Sequence, residues 1–360
     1  MPTAKINWLA AASVLALLFL SQPRVLCQSD NPLQYPPPGR MVDIGGYKLH
    51  INCRGKGNPT VILLHGVGDF SFDWALVQPE VARITRVCAY DRAGVAWSDP
   101  GPTPRGPLKL AQELHALLQN SGEPGPYVLV GHSWGGLIAR VYAAQYPQDV
   151  AGMVLVDATH EDEYWEINGP IVVPRLLSDE EWAKIKPKDA VPRGKVPLAQ
   201  QVRPPFDRLP LDIQELRLWV RSLPRPMKVI TGGDVRDIRA DLTEVHLLMR
   251  KRQRKHPLGN MPLIVITRAA ESGGPIPQKY LRYNMHLQLE LSRLSRKAKY
   301  IVAGTSDHHI QLVQPELVIS AVRAVIKATR SRNPIQVVGK EISGLVSYAC
   351  LFNVEAHQDL

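Results

Sequence analysis

Ser133 stands between two glycines in Gly131-His-Ser-Trp-Gly135, directly after the apolar run Tyr127-Val-Leu-Val130 and before a helical stretch from Gly136 to Gln145. A surface turn does not need small residues on both sides of a serine; Asn-Gly or Pro-Asp-Gly serves better. A strained strand-to-helix turn does need them. It lifts the hydroxyl clear of a sheet while the helix crosses so closely that a side chain at 131 or 135 collides. The N-terminus of the helix then favours negative charge beside the serine.

A serine hydroxyl is a poor nucleophile until a base takes its proton. Two histidines, His308 and His309, follow the last strand-like run in "VAGTSDHHIQLVQPELV". His309 opens the apolar-periodic stretch toward Ile310 and Leu312, so His308 is the preferred base. A carboxylate must hold the tautomer of that base. Asp157 ends the strand "GMVLVDATH", and Glu271 lies in "TRAAESGG". Asp157 is preferred because it sits at a strand terminus, with Glu271 as the alternative acid. Backbone amides must receive the developing oxyanion. Trp134, after the nucleophile, and Val67, in the sharp turn His65-Gly66-Val67-Gly68, are the expected donors. His65 and His132 are read as structural hydrogen-bonding groups.

These residues need a scaffold. Short apolar runs alternate with helical patterns: strands near 47–52, 60–64, 85–90, 127–130, 150–156, 263–267 and 299–302, with helices near 108–119, 136–145, 280–295 and 315–328. That alternation predicts an α/β fold, a mostly parallel sheet flanked by helices on both faces. Between about 160 and 257 the rhythm breaks into proline-rich, charged, mostly helical sequence. This segment is expected to be a helical lid inserted before the last two strands. The core is expected over 41–159 and 258–330.

The chain has 360 residues, 45% hydrophobic and 21% charged, which suits a buried core and excludes disorder over most of its length. Residues 1–27 form a signal-peptide pattern: Lys5, then the apolar Trp8–Leu20, then Pro23 and Arg24. The chain is therefore expected to be secreted or periplasmic, without a membrane span once matured. A proline-rich lead-in follows at 28–40, and 331–360 reads as a C-terminal tail. The formal charge of +10 is scattered apart from Arg250–Lys255. Without interleaved aromatics or a reader module it does not point to nucleic acid. The four cysteines (Cys27, Cys53, Cys88 and Cys350) show no metal-ligand spacing.

Together, "HGVG" at 65–68, "YDRAGVAWSDPG" at 90–101, "GHSWGG" at 131–136 and "DHHIQLVQPE" at 307–316 resemble the α/β-hydrolase superfamily over roughly 41–330. The resemblance implies a lidded serine hydrolase of the carboxylesterase or lipase type, acting on a small-molecule ester or acyl compound without metal or organic cofactor. It makes Asp91 and Arg92 scaffold residues, with Ala96 replacing a glycine of the D-R-x-G-x-G-x-S loop. Most members carry the acid after the strand that follows the lid. Pancreatic-type lipases and some dehalogenases carry it one strand earlier, which supports Asp157. The family strand order also implies that Cys53 and Cys88 lie on adjacent strands, where they could form a disulfide. Ser133 at the elbow disfavours dehalogenase chemistry, which places an Asp there. Two other outcomes share this fold: a cofactor-free peroxidase or perhydrolase-like activity, and a non-catalytic binding protein.

Overall fold

The computed structural model describes residues 35–185, 201–223, 238–251, 256–269, 277–304, 307–331 and 335. The signal-peptide pattern, Glu271, residues 252–255 of the basic run and nearly all of the tail lie outside them. Of two compact units, Met1–Pro36 has only Tyr35 and Pro36 described, and Pro37–Leu360 carries the fold.

Eight strands form one sheet. They are β1 (Arg40–Asp43), β2 (Lys48–Arg54), β3 (Thr60–Leu64), β4 (Val87–Tyr90), β5 (Tyr127–His132), β6 (Val150–Val156), β9 (Leu263–Arg268) and β10 (Ala298–Ala303). Their order is β1-β2-β4-β3-β5-β6-β9-β10. β2 pairs antiparallel with β1 and β4, and every other pairing is parallel. β1 is a strand that the sequence reading did not name. Four residues with one buried apolar side chain, Val42, give no alternation to read, and pairing with β2 supplies the order.

The central strands run apolar on both alternating faces, with polar residues only at their ends, because both faces are covered. Ile62, Leu64, Leu129, Met153, Leu155, Leu263 and Val265 point into one core, and Val61, Leu63, Val128, Val130, Val154, Val156, Ile264 and Ile266 into the other. The short helix α1 (Gln78–Ala82) supplies Val81 to the second core. The first core is closed by α2 (Pro107–Ser121), with Leu110, Leu114, Leu117 and Leu118, and by α3 (Trp134–Gln145), with Leu137, Ile138 and Val141.

Between β6 and β9 lie α4 (Asp179–Ile185), α5 (Leu211–Ser222) and α6 (Ile238–Lys251). α6 is anchored to the first core through Ile238, Leu242 and Val245. The segment also contains a small hairpin, β7 (Trp165–Glu166) with β8 (Ile171–Val172). Its turn holds Asn168 at φ 51° and Gly169 at φ 110°, the positive-φ pair that an Asn-Gly hairpin turn requires. That dipeptide was the available signal for a hairpin in a region read as helical. After β9 come α7 (Gln278–Ser292), β10, the short α8 (Ile310–Val313) and the closing α9 (Pro315–Ser331). α9 buries Val318, Val322 and Val325 in the second core. Among the described residues no helix is long and apolar enough to cross a membrane.

Candidate active site

The C-terminal ends of β3, β5 and β6 and the loop after β10 converge, as parallel strands of an open α/β sheet bring their chemistry to one edge. Ser133 occupies the turn from β5 to α3 at φ 51° and ψ −124°, a conformation that side-chain-bearing residues rarely adopt. Its backbone is fixed on both sides: Ser133 N donates to Val156 O at 3.1 Å, and Thr159 N donates to Ser133 O at 3.0 Å. The flanking glycines have measurable reasons. A Cβ at Gly131 would sit 2.5 Å from the Cα of Gly136, and one at Gly135 would overlap the carbonyl oxygen of Leu64. Either methyl pushes the helix off the strand, and the serine with it.

His308 and Asp157 come together although 151 residues separate them. His308 Nδ1 donates to Asp157 Oδ2 at 2.7 Å. A carboxylate accepts only, so the proton sits on Nδ1 and a neutral ring presents the lone pair of Nε2. Asp157 also accepts from Thr267 Oγ1 and from the Arg268 amide, each at 3.2 Å to Oδ1. Arg268 Nε lies 3.3 Å from Oδ2. Burial works against the charge of Asp157, but the His308 hydrogen bond and the Arg268 charge outweigh it and hold its pKa at about 2. For His308, burial dominates, and the neighbouring His132 and His309 add to it; they bring the pKa down to about 4 against the pull of Asp157. With 34% of the side chain exposed, solvent screens these effects more at His308 than at Asp157, which is 3% exposed.

The loop after β3 lies against the elbow. A Cβ on Gly66 would be 3.1 Å from the Cβ of Ser133. Arg92, fully buried, donates to His65 O at 2.7 Å and to Gly66 O at 2.8 Å. In a trans peptide the N–H points opposite the carbonyl, so the grip on Gly66 O also fixes the direction of the Val67 amide. Trp134 is the first residue of α3, where an amide has no partner inside the helix. Asp91 accepts from His50 Nδ1 at 2.7 Å, Ser71 N at 2.8 Å and Ser71 Oγ at 2.9 Å. Ala96 stands at φ 44°, which explains why glycine suits that position. The His65 ring is bonded to Gly66 O at 2.9 Å, and burial lowers its pKa to about 3, leaving it neutral.

Several groups around this centre escaped the sequence reading. Arg268 and Thr267 end β9 as polar residues after an apolar strand, which was a readable sign. Arg217 is a cation on the buried face of α5, spaced with Leu216 and Val220. It pairs with Asp73 and lies 3.4 Å from Asp69. Its guanidinium also covers the Phe206 ring at 3.4 Å. Glu163 follows β6 closely; burial pushes its carboxyl up to about 8, with the charge of Asp157 adding to the effect.

Among the described residues, two clusters have metal-ligating atoms within 4.8 Å of one another. Cys53, Cys88 and Glu123 form the first, but the two sulfurs are joined to each other. Asp69, His132 and His309 form the second, where the Arg217 guanidinium already contributes positive charge to the same carboxylate. In that second cluster Asp69 is shared among His132, His309 and Arg217.

The comparisons agree with this architecture. A family model described as the alpha/beta hydrolase fold matches residues 59–314. An AB hydrolase superfamily protein of Gibberella zeae is 25% identical over 316 residues, which is 79% of this chain and 92% of that protein. Epoxide hydrolase 4 of Homo sapiens is 31% identical over 144 residues, a match that spans 39% of each chain. The solved structure of a thermophilic esterase from Thermogutta terrifontis superposes with a TM-score of 0.52 at 19% identity, covering 79% of this chain and 94% of that one. With its family model matched across both halves of the sheet and the elbow between them, the chain belongs to the alpha/beta hydrolase fold family.

Proposed function

We propose that this protein is a serine hydrolase that cleaves an ester or related acyl bond. Ser133 is the nucleophile, His308 the base and Asp157 the residue that orients it. The observation that carries the reading is the 2.7 Å bond between His308 Nδ1 and Asp157 Oδ2. It leaves Nε2 free to take the serine proton.

In this reading His308 Nε2 removes the proton from Ser133 Oγ as the oxygen attacks the acyl carbon. The amides of Val67 and Trp134 receive the oxyanion. The imidazolium, held by Asp157, then protonates the leaving group, and water repeats the cycle on the acyl-enzyme. Some relatives are epoxide hydrolases, but the elbow residue argues for acyl substrates. A serine oxygen that opened an epoxide would be left as an ether, which water does not cleave. An acyl-serine ester hydrolyses and turns over. The segment between β6 and β9 is assigned the role of lid; Arg217 brings it against the loop after β3, and Phe206 against His309. Export is part of the proposal, and the Cys53–Cys88 bond suits an oxidising compartment.

The test is covalent labelling of the purified protein with a fluorophosphonate probe. Labelling is expected in the wild type and absent in Ser133→Ala and His308→Ala. Asp157→Asn should slow it by about 10³-fold or more, while Glu271→Gln leaves it near the wild-type rate. A Glu271→Gln variant slower than Asp157→Asn moves the acid to Glu271. No labelling of a folded wild type favours the binding-protein outcome.

A further inference from the structure

His308 packs in a triangle of histidine rings with His132 and His309, whose own ring centroids are 5.0 Å apart. Its ring centroid is 4.7 Å from that of His132 and 5.3 Å from that of His309. His132 precedes the nucleophile and His309 follows the base, and one carboxylate reaches both. Asp69 Oδ2 is 3.2 Å from His132 Nδ1, and Asp69 Oδ1 is 3.5 Å from His309 Nε2. The other nitrogen of His132, Nε2, lies 2.9 Å from the backbone oxygen of His308. A carbonyl only accepts, so Nε2 carries a proton and donates it. His132 thus grips the base through its backbone, separately from the grip of Asp157 on its ring, and the Asp69 carboxylate lies against the other edge of the His132 ring.

We propose that Asp69 and His309 are positioning residues of this site: Asp69 pairs with His309 and lies against His132 beside His308, and the cluster thereby sets the orientation and the charge surroundings of that histidine independently of Asp157. The proposal rests on the reading of His308 as the base. Asp69 is 3% exposed, so the arrangement is shielded from water. The groups facing His309 come from four segments. The loop after β3 brings Asp69 and, more distantly, Asp73. The elbow brings His132. The base's own loop brings His308 and Asp307, whose Oδ1 accepts from His309 N at 2.8 Å. Residues 206–217, running into α5, bring Phe206, edge-on at 4.7 Å, and Arg217 of α5 through Asp69. Burial disfavours a charged His309, but Asp69, Asp307 and Asp73 outweigh it and raise its affinity for a proton. A proton held there opposes protonation of His308.

The experiment follows the rate of fluorophosphonate labelling of the full chain from acid to alkaline pH in the wild type, His309→Gln, Asp69→Asn and the double variant. Removing a positive neighbour makes His308 easier to protonate, so His309→Gln should move the acid limb upward by roughly one pH unit. Asp69→Asn should move it in the same direction and lower the plateau roughly tenfold through misplacement of the base. The double variant should shift no further than His309→Gln. His309→Gln leaves the Arg217 pairs with Asp69 and Asp73 in place, so it reports even where Asp69→Asn folds poorly. If His309→Gln keeps the wild-type limb, or loses thermal stability without moving it, the residues are packing groups and the proposal is overturned. A chelator that shifts the wild-type limb as Asp69→Asn does overturns it in favour of a bound metal. A wild type that does not label overturns the reading of Ser133 and His308 as well, which separates the two failures.

Discussion

Arg268 Nε lies 3.3 Å from the same oxygen of Asp157, Oδ2, that accepts the His308 proton at 2.7 Å. The carboxylate therefore divides its charge between the Arg268 guanidinium and His308. A fixed positive group there steadies Asp157 as an anion and weakens the stabilisation left for an imidazolium at His308. Replacement by a neutral residue should raise the pKa of His308. In Arg268→Gln the acid limb of kcat/KM is expected to rise by up to about one pH unit, read from a pH–rate profile. A limb that stays in place would show that solvent screens Arg268 from the pair.

The same pH profile tests the wild-type site. The pKa of His308 is lowered from 6.5 to about 4, chiefly by burial. Activity should therefore persist through pH 5–6, where a free imidazole is largely protonated, with an acid limb below 6.5. Stability follows with a definite sign. A histidine with a depressed folded pKa contributes fully above the unfolded value, and that contribution is lost as pH falls from 6.5 toward 4. Asp157, lowered from 3.8 to about 2, adds a second loss as pH falls from 3.8 through 2. Thermal melts of His308→Gln against wild type should diverge least at pH 4 and most at pH 7. An acid limb at 6.5 or above contradicts this account.

The sheet and the elbow were legible because their causes are local. Both-face burial makes β3, β5, β6 and β9 read as apolar runs, and close crossing of strand and helix demands Gly131 and Gly135. The preference for His308 over His309 rests on the apolar-periodic stretch that His309 opens toward Ile310 and Leu312. The network around Asp69 was not legible. Its members come from positions 69, 132, 217 and 309, each unremarkable in its own segment, and only the strand order places them together. β1 was hidden for the opposite reason: four residues carry almost no pattern, and the edge of β2 dictates their conformation. Arg217 shows a third case, a charge within an apolar stripe that reads as a break in amphipathicity until its acidic partners are known.

Glu163 offers a test with the reverse sign. Its carboxyl is pushed from 4.5 up to about 8 by burial, with Asp157 adding like-charge repulsion. An acid with a raised folded pKa favours the folded state below its unfolded value, and that contribution is lost as pH rises from 4.5 through 8. The isosteric Glu163→Gln removes the titration and keeps the shape. It should leave the melting temperature unchanged near pH 4.5 and raise it at pH 8. A variant less stable than wild type at pH 8 would mean that Glu163 is ionised and paired in the folded protein.

Cys53 and Cys88 face each other in the antiparallel register of β2 and β4 and are joined by a disulfide. The bond closes a loop across 35 residues, for which chain entropy gives about 3–4 kcal/mol of stabilisation. Strands β4 and β3 stand between β2 and the elbow strand β5, so the bond braces one side of the sheet without touching Ser133. Two consequences are expected of protein purified without reductant. Neither sulfur should react with an alkylating agent until reduction, as read by mass spectrometry. The Cys53→Ala/Cys88→Ala variant should unfold at lower denaturant by about 3–4 kcal/mol yet label at Ser133 at the wild-type rate under native conditions. Free thiols in the folded protein would remove the support that the bond gives to export. A slower Ser133 in the double variant would instead show that the edge of the sheet holds the elbow in place.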